Sequence, residues 1–191
     1  MPAFGVTLTA SGATLPDLLR DGLDLVFIGI NPSLYSASQG HYFARKTNRF
    51  WPALSRSVLS EPARRALGVD RLEPSHDAML LDLGIGFTDV VKRPTARAGE
   101  LDPAEFAAAT AELVAKLEKF QPITACFQGM MGYRPFARIH APTLPNPVLG
   151  EQPWRIGRTR LFVVPSPSPA NAHASLPVQI EWFDRLAAAR D

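Results

Sequence analysis

Residues 24–30 read DLVFIGI, a run that is apolar after its first residue. A continuous apolar run of this length is typical of a strand covered on both faces, because a half-exposed strand would alternate apolar and polar residues. The run therefore predicts a central strand of a parallel sheet. Residues 122–127 (PITACF) and 160–164 (RLFVV) have the same character and are stopped by Gly or Pro.

The clearest helix signal lies between the first two of these strands. Asp102 is a capping residue, followed by Pro103 at the first helical position and Glu105 at the third. Apolar residues then recur at helical spacing as far as Phe120. Shorter helices are expected at about 48–60, 77–83, 130–139 and 176–189. Buried strands that alternate with helices predict an α/β fold, a three-layer sandwich with a central mostly parallel sheet flanked by helices.

The length and composition of the chain exclude several classes of protein. Its 191 residues, 46% of them hydrophobic, predict a single domain over residues 1–191. The lone cysteine excludes a disulfide framework, an iron–sulfur cluster and a Cys-based zinc site, and the four histidines share no metal-ligand spacing. No phosphate-binding loop occurs, so neither a cofactor nor a metal is expected. Without a signal peptide or a membrane-length apolar run, we expect a cytoplasmic protein with no membrane partner, nucleoid-associated if its source is bacterial.

Two polar loops leave the predicted strands. Ligands of open parallel sheets bind beyond the carboxyl ends of the strands, where such loops converge. Residues 29–51 (GINPSLYSASQGHYFARKTNRFW) gather polar and aromatic groups after the first strand. Residues 165–171 (PSPSPAN) follow the last strand, and their three prolines restrict the backbone. This second loop fits an ordinary surface turn as well as it fits a docking loop.

Several of these motifs resemble one family. The sequences GINP at 29–32, GHYFA at 40–44 and NRFW at 48–51 are similar to the first motif of the mismatch-specific uracil/thymine-DNA glycosylases, a branch of the uracil-DNA glycosylase superfamily. Residues 90–96 (VVKRPTA) resemble the middle of that family, and residues 164–168 (VPSPS) resemble its second motif. Classical uracil-DNA glycosylases have Asp at the position of Asn31 and His at that of Val164, which favours the mismatch-specific branch.

The resemblance implies a function. These enzymes flip uracil out of double-stranded DNA, hydrolyse its N-glycosidic bond and leave an abasic site. We expect a preference for uracil mispaired with guanine, since a mispaired base is the easiest to extrude. The expected partner is double-stranded DNA, bound by a monomer without a cofactor. The alternatives are a non-catalytic nucleic-acid or nucleobase-binding module on the same fold and, third, a hydrolase of free nucleosides.

The first loop supplies the candidate pocket. The Asn31 amide can orient a water molecule but cannot take its proton at neutral pH, so catalysis by Asn31 alone would rely on stabilising the departing base. The resemblance implies that Phe43 stacks on the flipped base and that Ser36 lines the pocket near the pyrimidine 5-position. Backbone groups around Ile30 and Phe43 would read the polar edge of the base. The expected substrate-binding residues are Gly29, Ile30, Pro32, Ser36, Tyr42 and Phe43, whereas Phe50 and Trp51 are expected in the core.

Asp89 is a second candidate catalytic residue. It follows a short strand-like segment, and in a pocket-facing loop its carboxylate could be the general base that Asn31 cannot be. The alternative is a solvated loop acid that pairs with Lys92 or Arg93. Asp82 is a less favoured acid.

DNA contacts are expected from cations and from the second loop. Arg45 and Lys46 are the main phosphate-binding candidates, with Arg49, Lys92, Arg93 and Arg97 as further cations. The wedge position of the family corresponds to Ala170, and such a small side chain predicts broader or less mismatch-dependent substrate choice. The second-loop residues expected at DNA are Ser166, Pro167, Ser168, Pro169, Ala170 and Asn171.

Overall fold

The structure, a computed structural model, describes residues 8–9, 12–143 and 145–190. The predicted single domain over 1–191 includes residues outside these ranges, and it stays a prediction. The strands are β1 (Leu8–Thr9), β2 (Gly12–Ala13), β3 (Leu25–Gly29), β4 (Ile85–Asp89), β5 (Thr124–Gln128), β6 (Gly150–Ile156) and β7 (Thr159–Val164). The α-helices are α1 (Leu34–Gln39), α2 (Phe50–Leu54), α3 (Glu61–Leu67), α4 (Asp77–Asp82), α5 (Pro103–Phe120), α6 (Met130–His140) and α7 (Leu176–Ala188). Short 3-10 helices span Val58–Ser60, Pro74–His76 and Ala98–Glu100.

The five-stranded sheet has the order β4-β3-β5-β7-β6. Strands β4, β3, β5 and β7 are parallel, and β6 runs antiparallel to β7 at the edge. The predicted strand 24–30 is β3, which lies inside the sheet with all five residues buried. Strands β1 and β2 form a separate antiparallel pair. The expected α/β fold with a mostly parallel sheet is therefore confirmed.

Alternate residues of β3 face two different cores. Phe27 packs in a cluster with Phe50 of α2 and Phe183 of α7, with ring centroids 5.0 and 5.8 Å away. Val26, on the opposite face, belongs to a second cluster together with Leu113 of α5 and other residues of α5 and α6. The sheet is therefore covered by helices on both faces, which is the three-layer arrangement that its continuous apolar strands predict.

Helices α1 and α3 and strands β1 and β2 were not predicted, and two further differences from the sequence prediction have a visible cause. The helix expected at 48–60 ends at Leu54, because the hydroxyls of Ser57 and Ser60 both donate to the Leu54 carbonyl and compete with the helical hydrogen bonds. Strand β6 was not predicted, because it contains Pro153, which cannot donate to a sheet ladder. The strand forms at the sheet edge, with a register shift between Glu151 and Arg155. Edge strands tolerate such an interruption.

Helix α5 confirms its sequence signals. The Asp102 carboxylate accepts a hydrogen bond of 2.7 Å from the Ala104 amide, as a capping residue should. Among the described residues, no helix is long and apolar enough to cross a membrane.

Candidate active site

The carboxyl ends of the parallel strands meet at one edge of the sheet, where Gly29 lies in register with Asp89. The first turn of α6 packs between the two predicted loops. A side chain at Gly132 would place its Cβ 3.1 Å from Ile30 Cγ1, and one at Gly129 would place its Cβ 2.8 Å from Ser166 Cβ. A side chain at Gly129, whose φ is +116°, would collide with Ser166, and one at Gly132 would crowd Ile30, so the turn after β3 and the loop after β7 both lie against the same helix.

The Asn31 side chain is held in one orientation. Its Nδ2 donates to the Arg93 carbonyl at 2.9 Å and to the Thr95 hydroxyl at 2.8 Å. The Thr95 hydroxyl in turn donates to the Arg97 carbonyl at 2.9 Å. Among the described residues the Asn31 Oδ1 makes no hydrogen bond, so the amide presents a free acceptor. Thr95 belongs to the VVKRPTA motif, but no role was predicted for it.

Asp89 ends β4, and only 3% of it is exposed. Its Oδ1 fills the space beside Gly29: a Cβ atom added to Gly29 would lie 2.2 Å from this oxygen. The same added Cβ would lie 3.7 Å from the Phe43 ring, which borders this space. Its Oδ2 is buried without a hydrogen-bond partner, with the Lys92 Nζ 3.9 Å away. Burial raises the pKa of Asp89 to about 7, although Lys92 opposes the shift.

The interpretation of Asp89 as a solvated loop acid is therefore wrong, although Lys92 does lie within ion-pair distance of it, as that interpretation expected. The residue belongs to a buried strand, and Arg93 pairs with Glu105 instead, with its Nε and Nη2 each 2.7 Å from a carboxylate oxygen. The less favoured acid, Asp82, is exposed at the end of α4. A buried carboxylate whose pKa lies near neutrality is suited to general base catalysis.

Phe43 occupies a strained position beside Asp89. Its φ of +52° is unusual for a residue with a large side chain. The neighbouring amides hold it there, because Tyr42 N donates to Asp77 Oδ2 at 2.9 Å and Ala44 N donates to Ser36 Oγ at 3.2 Å. The Phe43 ring is half-buried and stacks on Phe50, with centroids 4.2 Å apart. In the described structure, the Phe43 amide makes no hydrogen bond.

The remaining substrate-binding candidates take different positions. Tyr42 is 2% exposed, its hydroxyl donates to the Pro16 carbonyl and its own carbonyl accepts from the Trp51 indole. Tyr42 therefore supports the Phe43 loop from the core and presents no surface to a ligand. Pro32 and Ser36 are also buried, while Ile30 is half-buried and its carbonyl accepts from the Val91 amide at 2.9 Å.

Asp77, for which the sequence predicted no role, pins the same loop. Besides the Tyr42 amide, its buried carboxylate contacts the His41 Nδ1 at 3.1 Å. No periodicity or motif indicates this role, because the contact joins α4 to a loop more than thirty residues earlier in the chain.

Only some of the predicted cations are free to meet phosphates. Arg45 and Lys46 are exposed and, among the described residues, take part in no ion pair. Arg49 is used internally: its guanidinium donates to the Ser168 carbonyl at 2.8 Å, and its amide donates to the Pro167 carbonyl at 3.0 Å. Arg49 thus clamps the second loop to the start of α2.

The second loop is also bonded within itself. Asn171 Nδ2 donates to the Ser166 carbonyl at 3.1 Å, and Gln179 of α7 donates to the Pro165 carbonyl at 3.1 Å. Pro169 and Ala170 are exposed at its tip. Ser166 and Ser168 are half-exposed, and Pro167 is buried.

Other features of the surface lie elsewhere. In the part of the chain that the structure describes, no three His, Cys, Asp or Glu side chains are grouped so that they could hold a metal ion. A cleft of about 390 Å³ lies between α6 and β6, lined by residues that include Tyr133, Arg134 and Trp154. None of the candidate catalytic residues lines this cleft.

Comparison with known proteins bears on the fold and the family of this chain. The structure resembles the solution NMR structure of a candidate uracil DNA glycosylase from Methanosarcina acetivorans, with a TM-score of 0.53 and 20% sequence identity over 91% of this chain and 97% of that chain. This likeness bears on the fold alone. The model of the uracil DNA glycosylase superfamily matches residues 16–187, a range that contains both loops, Asn31 and Asp89. The chain therefore belongs to the uracil DNA glycosylase superfamily.

Proposed function

We propose that the protein is a DNA repair glycosylase that flips uracil out of double-stranded DNA and hydrolyses its N-glycosidic bond. The products are free uracil and an abasic site. The proposal assigns the chain to the mismatch-specific branch, as its motifs suggest, with a preference for uracil opposite guanine.

One observation carries the proposal. The buried Asp89 carboxylate directs Oδ1 to the space beside Gly29 and the Phe43 ring, and its Oδ2 has no hydrogen-bond partner. An unpaired polar group in the interior is costly, so its retention at the end of a parallel strand supports a functional role. The oriented amide of Asn31 follows the neighbouring strand.

Asn31 and Asp89 would act on the same water molecule in different roles. Asn31 Oδ1 accepts a hydrogen bond from the water and orients it, while Asp89 removes a proton as the water oxygen bonds to the sugar C1′. The C1′–N1 bond breaks and its electron pair leaves with the uracil. The free amide of Phe43 would donate to the departing base and stabilise its negative charge.

Mismatch preference would follow from base extrusion. A U:G pair is weaker than U:A, so less free energy is needed to flip its uracil. Ala170 and Pro169, exposed at the tip of the second loop, form a small wedge that gives little contact with the opposite base. We therefore expect the preference to reflect the stability of the pair more than reading of its partner.

The test uses the full-length protein and a duplex with one uracil opposite guanine, followed by alkali cleavage at abasic sites. Wild type should cleave the uracil strand, and Asn31→Ala and Asp89→Asn should reduce scission. Parallel substrates with U:A, T:G and single-stranded uracil measure the dependence on pairing. Equal rates for U:G and U:A would remove the mismatch preference and leave the glycosylase activity standing.

The same assay addresses the alternative of a non-catalytic binding module. Such a module would bind the duplex and give no alkali-labile site with any substrate. Release of uracil from free deoxyuridine, with none from DNA, would instead indicate a nucleoside hydrolase.

A further inference from the structure

We propose that Asp17 is a positioning residue that holds the Lys92 ammonium away from Asp89 and so leaves the Asp89 carboxylate free to activate water. This inference rests on the proposed function, in which Asp89 is the general base. Asp17 lies outside every motif identified in the sequence.

Asp17 is fixed on a rigid support. The adjacent residue, Leu18, forms an antiparallel bridge with Phe87 of β4, with N···O distances of 2.9 and 3.0 Å. This pairing places Asp17 beside Thr88, whose hydroxyl donates to Asp17 Oδ1 at 2.7 Å. The N-terminal segment thus carries a carboxylate to the strand that ends in Asp89.

Lys92 gives its hydrogen bonds to groups other than Asp89. Its Nζ donates to Asp17 Oδ1 at 2.9 Å and to the Tyr42 hydroxyl at 3.1 Å. The Tyr42 proton is engaged with the Pro16 carbonyl at 2.9 Å, so the tyrosine oxygen accepts from the lysine. The distance of 3.9 Å from Lys92 Nζ to Asp89 Oδ2 exceeds the roughly 2.7–2.9 Å of a charge-assisted hydrogen bond.

Asp17 retains Lys92 because it stays ionised. Lys116 of α5 lies 2.7 Å from Asp17 Oδ2, so each carboxylate oxygen meets a lysine. Burial raises the pKa of Asp17, but Lys92, Lys116 and the Thr88 hydroxyl outweigh burial and hold that pKa below its ordinary value. The ion pair between Asp17 and Lys92 therefore persists through neutral pH.

The charges around Asp89 come from several elements. Lys92 follows β4, Asp17 lies on the N-terminal segment, Lys116 lies on α5, and Tyr42 belongs to the Phe43 loop. On the other side, Gly29 of β3 lies against the Asp89 carboxylate and carries no charge. Burial is the main cause of the raised pKa of Asp89; Asp17 adds to it, and both lysines oppose it. Removing the Asp17 charge would let Lys92 pair directly with Asp89 and make Asp89 a weaker base.

The test is a carbon-13 NMR titration of the Asp89 carboxyl in the full chain, with the pH profile of uracil release measured alongside. In Asp17→Asn, which keeps the shape of the side chain, the Asp89 midpoint and the acid limb of the rate profile should both move to lower pH. The plateau rate should fall about threefold to tenfold with the weaker base. Lys92→Met should move both midpoints to higher pH, and Asp21→Asn, an exposed aspartate of the same segment, should move neither.

Opposite shifts in the two single variants show that Asp17 acts through charge, and a smaller shift when Asp17→Asn is made in the Lys92→Met background shows that it acts by holding Lys92. A merely structural Asp17 would lower the melting temperature of the variant and leave the Asp89 midpoint in place. That result, or a shift of Asp17→Asn to higher pH, would overturn the inference. If Asp17→Asn does not fold, an unmoved midpoint in Lys92→Met overturns it instead. Failure of wild type to release uracil would sink the proposed function, while the NMR midpoints would still decide the inference.

Discussion

The ends of β3 and β4 lie side by side, yet the polar side chains at these two ends differ in how fully they are hydrogen-bonded. Just after β3, the neutral Asn31 amide gives both of its protons to the Arg93 carbonyl and the Thr95 hydroxyl. At the end of β4, Asp89 is buried with one carboxylate oxygen unpaired and its nearest cation 3.9 Å away. One group is fully oriented, and the other is left unsatisfied.

The difference separates two tasks. A group that orients water needs a fixed direction and can remain neutral, whereas a group that accepts a proton needs an uncommitted oxygen and a pKa near the working pH. A single residue cannot easily meet both needs, because hydrogen bonds that fix a carboxylate also stabilise its ionised form and weaken it as a base.

The largest effect should come from removing the proposed base, Asp89. We expect Asp89→Asn to lower the rate of uracil release by about 100-fold or more while DNA binding is retained. The exposed Asp82→Asn is the matched control and should be unchanged. Single-turnover assays on U:G duplexes, with binding measured separately, check this. Activity of Asp89→Asn within twofold of wild type would abolish the contrast between the two strand ends.

Stability should move in the opposite direction to activity. Because the folded-state pKa of Asp89 is raised to about 7, the folded protein keeps a proton that the unfolded chain loses, and wild-type stability falls as the pH rises toward 7. Asp89→Asn has no such loss. Its advantage in the free energy of unfolding should grow by on the order of 2 kcal/mol between about pH 5.5 and pH 8.5. Urea unfolding at both pH values measures this, and a constant difference would contradict the buried ionisation.

A smaller loss should follow when Asn31 keeps its place but loses one of its restraints. Thr95→Val removes the hydroxyl that accepts from Nδ2 and leaves the Arg93 carbonyl bond intact. We expect the rate of uracil release to fall by about tenfold, since a less ordered amide orients water less well. Thr159→Val, which removes a buried hydroxyl bonded to the Pro122 carbonyl far from this turn, is the control for stability alone. Equal losses in both variants would show that Thr95 acts only through the fold.

The smallest effect is expected outside both strand ends, at the exposed cations. Removal of Arg45 or Lys46 should weaken DNA binding a few-fold and reduce the slope of log K against log salt by about 1 for each phosphate that is no longer neutralised. The chemical step should not change once DNA is bound. Arg49 offers the contrast, since Arg49→Ala should loosen the second loop and affect the rate as well. Binding titrations at several salt concentrations, combined with single-turnover rates, separate these two outcomes.

Much of this arrangement could be predicted from local sequence. The apolar runs of β3, β5 and β7 and the capped α5 are local patterns, because burial on both faces and helix capping depend on residues near in the chain. The motif around Asn31 likewise indicated the superfamily. The edge strand β6 was missed, because Pro153 and an irregular register hide its pattern.

Local sequence was thus enough for the central parallel strands, the longest helix, the layers and the two loops at the carboxyl edge. The folded arrangement was needed to establish what the charged groups do there: the register of Gly29 against Asp89, the Arg49 clamp and the capture of Lys92 by Asp17. Desolvation and ion pairing depend on neighbours in space, and the partners of Lys92 and Arg49 lie 75 and 119 residues away along the chain. No local pattern encodes such distances, so the protonation state of the buried acid emerges only when the sheet is assembled.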